Sequence, residues 1–450
     1  MTRTRSDILN QVRKENFMLT YELEQSRTEP LYSQIYQLIR QDIETGRISA
    51  GEKLPSKRML ALQLGVSVMT IENAYQQLQA EGYIKSVARK GWYAERLESQ
   101  LIKKSDSGIF IPEQEQLEEQ QGLFPFTVWA KIMREELAGN QRKLLTRTPS
   151  KGALELRQAI AVHLKNFRNM DVQPEQIIIG AGTEYLYMLI HILLGNLHFG
   201  IEDPGYAKIA AIYASLGLQY EYISMQEDGI DINALRNSQA DVMHISPSHH
   251  FPTGAITSIG KRYTLLGWAS EQAQRYIIED DYDSEFRLSG KPIPALFNID
   301  VMEKVIYINT FSKSLTPTIR ISYMILPMGL LQKFQEKLNY YSCTVSNFEQ
   351  YTLARFIQEN YFEKHIHRMR KYYKDRRNLL FAEMKKHSVF RKSVISGEDA
   401  GLHCLVKFET GLTDAELLEH VKSLGFHAAA LQEYYHTKPA EELHVLVFYY

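Results

Sequence analysis

Cysteine is nearly missing from this chain: Cys343 and Cys404 are the two in 450 residues. Two thiols make no disulfide framework and no cysteine-based zinc site, and they fit a reducing cytosol. Net charge is nearly missing too. Lys and Arg number 52 against 53 Asp and Glu, leaving −1. The balance is uneven along the chain, with 14 basic and 11 acidic residues in 1–96, an excess of +3. So small an excess permits nucleic-acid binding without demanding it. No apolar run approaches the roughly 18 residues of a membrane span. The opening MTRTRSDILNQVRKENFML has no continuous apolar core, so it is not a secretory signal. No internal repeat is found.

What is present is an ordinary folded composition. Hydrophobic residues make up 44% and charged residues 23%, which excludes a disordered or collagen-like chain. The length suggests more than one domain, with a core that needs no staples. Residues 1–17 carry little pattern and read as a flexible arm or an over-long start. Residues 18–96 read as helices followed by a hairpin. Residues 97–121 are polar and rich in Gln and Glu, a solvated linker. Residues 122–450 return to apolar patterning, with a large part at about 150–327 and a smaller α+β lobe at about 328–450. The chain stops on an apolar strand without a cap, as an incomplete C-terminus would.

In the first module, LYSQIYQLIRQDIETG places Leu31, Ile35, Leu38, Ile39 and Ile43 on one helix face, and Gly46 stops it. PSKRMLALQLG is a helix capped by Ser56 and ended by Gly65. VSVMTIENAYQQLQAEG runs from Ser67 to Gly82, and YIKSVARKGWYAE forms two short strands. Three helices and a hairpin describe a winged helix-turn-helix, whose reading helix fits a major groove while a basic wing reaches phosphates. Lys57 and Arg58 open the bracing helix, Ser67 and Thr70 open the reading helix, and Lys85, Arg89 and Lys90 decorate the wing. A small helical domain with a solvated basic face has the same spacing. The text itself is more specific: GEKLPSKRMLALQLGVSVMTIENAYQQLQAEGYIKSVARKGWY resembles the GntR family of bacterial regulators. Val68 stands where that family often has Arg, and Glu72 adds an acid to the same helix.

The second module alternates strand-like and helical runs, which argues for a mostly parallel sheet covered on both faces. Chemistry-bearing residues recur where strands end. Lys313 follows KVIYINTFS, Asp280 ends YIIED with Tyr282 just beyond, and Tyr206 follows HFGIEDPG. GAGTEYLYMLI is a glycine turn feeding a helix, an anion site with Gly182 and Thr183 at its start. Singly, each reads as surface charge, turn residue or cap. Together they match what pyridoxal 5′-phosphate needs. Its aldehyde takes a Lys amine, here Lys313. Its ring nitrogen takes a carboxylate, here Asp280. Its phosphate takes a helix start, hydroxyls and Arg, here Gly182, Thr183, Thr310, Ser312 and Arg320. Tyr206 and Tyr282 serve the ring face and the ring hydroxyl. His249 and His250 read as ordinary loop polarity, and His365 and His367 are too close in sequence to share a helix face as a metal pair.

From about Phe124 onward the order of these motifs resembles fold-type I aminotransferases. The resemblance implies Lys313 as the Schiff-base (aldimine) lysine, Asp280 at the ring nitrogen, Tyr282 at the ring hydroxyl, Arg320 and Thr310 on phosphate, and Tyr206 stacked on the ring. Such enzymes usually clamp the substrate carboxylate with an Arg near the C-terminal strand. The last Arg here is Arg391, His444 stands about where the clamp would be, and Lys208 is another anion contact. Nearly the entire chain, from about Met18 onward, is similar to MocR/GabR-type regulators, a branch of the GntR family. This implies an α/β chain: a winged helix-turn-helix joined to an aminotransferase-like body. It implies a cytoplasmic, nucleoid-associated transcription factor binding a double-stranded DNA operator and pyridoxal 5′-phosphate, answering a small amine or amino-acid effector, in a head-to-tail homodimer with no membrane contact. A working aminotransferase with an accessory head, and a cofactor-binding scaffold whose head holds a protein partner, are the alternatives.

Overall fold

The computed structural model describes residue 21 and residues 30–44, 46–87, 90–95, 123–139, 141–288, 293–398 and 401–450. The expected arm and linker, and Arg89 of the wing, lie outside the described residues. Among those described, no helix is long and apolar enough to cross a membrane. The chain divides into two compact units, Met1–Phe110 and Ile111–Tyr450.

The first unit holds three helices and a hairpin: α1 (Leu31–Glu44), α2 (Lys57–Leu64), α3 (Val68–Ala80), β1 (Ile84–Val87) and β2 (Gly91–Ala94). Ile35, Ile39 and Ile43 point one way because they recur every four residues, and they are buried. They meet Leu60, Ile71, Tyr75 and Leu78 in one core. Ser56 caps α2 by accepting the Met59 N–H, and Gly65 ends it at φ 64. Ser67 caps α3 by accepting the Thr70 N–H. Each such cap satisfies an orphan amide and contributes about 1 kcal/mol. The wing is the two-stranded hairpin that the text suggested, and an isolated bridge ties Lys53 to Tyr93 beside it.

The second unit is built on an eight-stranded sheet: β3 (Ile177–Gly180), β4 (His198–Asp203), β5 (Gln219–Gln226), β6 (Gly229–Ile230), β7 (Val242–Ile245), β8 (Tyr276–Asp280), β9 (Val305–Thr310) and β10 (Ser322–Ile325). Its order is β3-β10-β9-β8-β7-β4-β5-β6. The run β9-β8-β7-β4-β5 is parallel, while β10 is antiparallel to both its neighbours. Helices cover both faces, so these strands read as continuous apolar runs. Alternation divides them between two cores. Ile177, Ile179 and Tyr307 enter one, and Ile178, Ile306 and Ile308 the other. A four-stranded antiparallel sheet, with β11 (Ser393–Ser396), β12 (His403–Phe408), β13 (Ala428–Ala430) and β14 (Val445–Tyr449), forms the smaller lobe. The parallel connections bring the carboxyl ends of β4, β7, β8 and β9 to one edge, and ligands bind at such an edge.

Candidate cofactor site and nucleic-acid interface

Alternation in β8 sorts three consecutive acids. Glu279 and the adjoining Asp281 share one face, and Asp280 takes the other. Glu279 accepts the N–H groups of Leu296 and Phe297 at 2.8 and 2.9 Å, and burial pushes its pKa up to about 7. Asp281 meets the buried Arg168 guanidinium at 2.5 Å and accepts the Tyr307 hydroxyl. Asp280 Oδ2 accepts the Tyr187 hydroxyl at 2.8 Å, with His244 Nε2 at 3.5 Å. Its Oδ1 is buried and has no hydrogen-bond partner among the described residues. A protonated ring nitrogen needs such an acceptor, and burial makes leaving it unpaired costly.

Strand β9 ends at Thr310, whose hydroxyl accepts the Ser312 N–H at 3.1 Å and caps the single turn Phe311–Ser314. It also accepts the Ser322 hydroxyl at 2.8 Å, and Ser312 donates to the Ile319 carbonyl at 3.0 Å. Both hydroxyls, expected on a phosphate, brace the turn that carries Lys313. His365 Nε2 donates to the Ser314 carbonyl at 3.0 Å from behind. Lys313 itself is exposed, without a hydrogen-bond or ion-pair partner among the described residues. The protein packed around it lowers its pKa by desolvation, with Asp283 opposing and Lys208 assisting. A larger fraction is therefore free amine near neutral pH than for an ordinary lysine.

At the helix start, Gly182 turns with φ +92, and a Cβ there would fall 2.3 Å from Arg320 Nη2. Glycine thus lets the guanidinium lie over the first turn of the helix Thr183–Leu194. Arg320 Nη2 donates to Glu184 Oε2 at 2.7 Å, and Lys208 Nζ donates to Glu184 Oε1 at 2.5 Å. Thr183 shares a hydrogen bond with Tyr187. Tyr206 is half exposed and meets Phe251 edge-on at 5.8 Å. The Tyr282 hydroxyl lies 3.4 Å from His249 Nδ1, which Asp283 Oδ2 holds at 2.7 Å. His249 and His250 are buried, not ordinary loop polarity, and burial lowers the His250 pKa to about 3. A cavity of about 240 Å³ opens beside Tyr206, lined also by Glu202, Tyr222, His244, Tyr434 and His436.

In the first unit, Lys57 Nζ meets Glu72 Oε1 at 2.7 Å and lies 5.9 Å from the centre of the Trp92 ring. Lys85 pairs with Glu95 at 2.9 Å. Ser67 and Thr70 bond each other at 2.8 Å. Arg58 and Lys90 are exposed, without an ion-pair partner among the described residues. Val68 and Met69 are also exposed, at the start of the reading helix.

Residues 31–94 match the model of the bacterial regulatory proteins of the gntR family, and residues 114–436 match aminotransferase class I and II. The HTH-type transcriptional regulator YdeL of Bacillus subtilis, itself uncharacterized, is 40% identical over 88% of each chain. The probable rhizopine catabolism regulatory protein MocR of Rhizobium meliloti is 28% identical over 92% of this chain and 89% of its own. The chain belongs to the MocR-type branch of the GntR family of bacterial regulators. The body of this MocR-type regulator shares its fold with the multiple substrate aminotransferase of Thermococcus profundus, at 22% identity and a TM-score of 0.62, over 73% of this chain and 83% of that one.

Several neighbours of the cleft in this MocR-type chain escape sequence reasoning. Glu184 reads in the text as a helix-dipole complement, since its partners lie 24 and 136 residues away. Tyr187 faces Asp280 one helical turn beyond Thr183, a spacing that the helix period makes readable. His403 comes from the smaller lobe, with its ring 5.0 Å from that of His249, and no local pattern announces it. His444 supplies no clamp. Its N–H donates to Asp414 at 2.7 Å, and its Nδ1 lies 3.7 Å from the same carboxylate.

Proposed function

We propose that this regulator binds pyridoxal 5′-phosphate in the cleft around Lys313 and uses it to read a small amine or amino acid, altering DNA binding by its winged helix. When bound, that cofactor supplies an aldehyde that condenses reversibly with primary amines. The residues of the chain do the rest. Lys313 offers an unpartnered amine of lowered pKa, Asp280 offers its open Oδ1 to the ring N–H, and Arg320 with the Gly182–Thr183 turn faces the phosphate. Tyr206 and Tyr282 flank the ring. The tyrosine-lined cavity beside Tyr206 admits the amine. The observation that carries the reading is the buried, unpaired Asp280 Oδ1 on the sheet edge that also presents Lys313. The head spans residues 18–96 and the body 122–450, and two chains pair head to tail. Arg58, Lys90 and Arg89 meet DNA phosphates, with Ser67 and Thr70 at the groove.

Sensing is preferred to turnover because β14 carries no arginine and His444 is engaged by Asp414. The test is direct. Purified protein is mixed with pyridoxal 5′-phosphate, reduced with borohydride, and mapped for a modified Lys313 peptide. Affinity for DNA from upstream of its own gene is then measured with and without the cofactor and a panel of amines. Identical affinity under every condition removes the sensor, and sustained amino-group transfer to an oxoacid makes the chain an enzyme.

A further inference from the structure

Three charged groups converge over the Gly182 turn, and one of them has the wrong sign for a phosphate site. Arg320 and Lys208 are the cations. The carboxylate of Glu184, in the first turn of the helix Thr183–Leu194, takes both of them, at 2.7 and 2.5 Å. It also accepts a hydrogen bond from its own backbone N–H. Burial pulls its pKa upward, but the Lys208 hydrogen bond, that amide and the two positive charges outweigh burial and hold it below the usual range. Glu184 is therefore ionised at neutral pH. A Cβ on Gly182 would collide with Arg320 Nη2 and lie 2.6 Å from Glu184 Oε2, so these two groups share one small space above the helix start, and Lys208 joins them through Glu184 Oε1.

The donors that Glu184 collects are those a phosphate monoester takes: a helix-terminal amide, a guanidinium and an ammonium. Such a phosphate carries about −1.5 to −2 at neutral pH. Two cations match it closely when Glu184 is absent. With Glu184 in place the anions outweigh the cations, and the carboxylate repels the incoming group. Its side chain is 31% exposed, so it has a path into water.

We propose that Glu184 is a displaceable internal anion. Its carboxylate holds Arg320 and Lys208 until a phosphorylated vitamer displaces it, and this exchange sets the affinity of the cleft for the phosphate. The inference rests on the reading of the cleft as a pyridoxal 5′-phosphate site and deepens it. A cleft that exchanges one anion for another releases its ligand more readily than one preloaded with free cations, as a sensor of ligand concentration must.

The experiment compares wild type with Glu184→Gln and Glu184→Ala in the full chain, after thermal melting confirms that each is folded. Binding of pyridoxal 5′-phosphate is followed by absorbance, and binding of inorganic phosphate and unphosphorylated pyridoxal by calorimetry. Both variants are expected to bind pyridoxal 5′-phosphate and inorganic phosphate about tenfold more tightly, the equivalent of one charge-assisted contact. Affinity for pyridoxal stays unchanged. Equal affinities in wild type and variants overturn the proposal. Weaker phosphate binding in the variants also overturns it, because Glu184 then holds the cations in place for the ligand. An equal gain for pyridoxal overturns it by removing the link to phosphate. A wild type that takes up inorganic phosphate but never colours with the vitamer defeats the cofactor reading alone, and the phosphate arm still decides the role of Glu184.

Discussion

Lys57 on the bracing helix and Glu72 on the reading helix form an ion pair at 2.7 Å, with Trp92 of the wing beside the ammonium. The pair ties the bracing helix to the reading helix beside the wing. It also means that two adjacent cations, Lys57 and Arg58, differ in what they can give to DNA. Arg58→Ala is expected to weaken binding to all sequences about equally and to reduce the salt slope by about one per head. Glu72→Gln is expected to do the reverse, because it removes a negative charge and frees Lys57. Salt titrations on operator and unrelated DNA check both. A loss in Arg58→Ala restricted to one sequence refutes a phosphate contact.

The proposed site assigns Lys313 and Asp280 to different atoms of the cofactor, so their variants are expected to differ in kind. Lys313→Ala is expected to leave no borohydride-fixed vitamer while still permitting non-covalent binding. Asp280→Asn is expected to retain the covalent link and weaken affinity at least about tenfold, since a charged acceptor becomes neutral. Absorbance titration with mass spectrometry separates the two. Normal affinity in Asp280→Asn removes the ring-nitrogen assignment.

Gly182 is tested through its backbone. Gly182→Ala combines a left-handed φ of +92 with a methyl 2.3 Å from the Arg320 guanidinium. We expect a stability loss of about 1–2 kcal/mol from the backbone alone, with weaker binding of the phosphorylated vitamer and little change for pyridoxal. Chemical denaturation and the two titrations read these effects independently.

His365 is expected to make the turn around Lys313 acid-sensitive. Burial lowers its pKa from 6.5 to about 4, against the hydrogen bond to the Ser314 carbonyl, which favours the charged ring. The folded state thus refuses a proton that the unfolded state accepts below about pH 6.5. Stability from this group is present at pH 7 and falls as pH drops toward 4, by about 2 kcal/mol at pH 5. Denaturant midpoints of the body at pH 7 and pH 5 are expected to converge in His365→Gln. An unchanged gap shows that other buried groups, such as His163 and His250, carry the acid sensitivity.

Much of the architecture was legible because local and tertiary preferences agree. The caps at Ser56 and Ser67, the glycine stops at Gly65 and Gly82, and the doubly buried strands carry their own signals. The residues proposed for the site could be picked out in the text because they follow strand ends, as Asp280, Lys313 and Tyr206 do. Thr310 and Ser312 show one thing that reading leaves open. A hydroxyl in a motif has several possible partners, and in this fold both also bond within the turn. Asp280 and Asp281 show another. The text gives two adjacent acids, while strand alternation and the position of Arg168 decide which one keeps an oxygen without a hydrogen-bond partner among the described residues.

By itself, then, the sequence determined the order of the two modules, the strand and helix periods, and the residues placed at strand ends. These depend on propensity, periodicity and capping, which act over a few positions. Only the tertiary structure decided that Lys57 is paired, that Asp280 keeps an unpaired oxygen, and that Glu184 stands between Arg320 and Lys208. Those outcomes depend on charges brought together from distant parts of the chain, where Coulomb energy and desolvation are set by separations that no local pattern encodes.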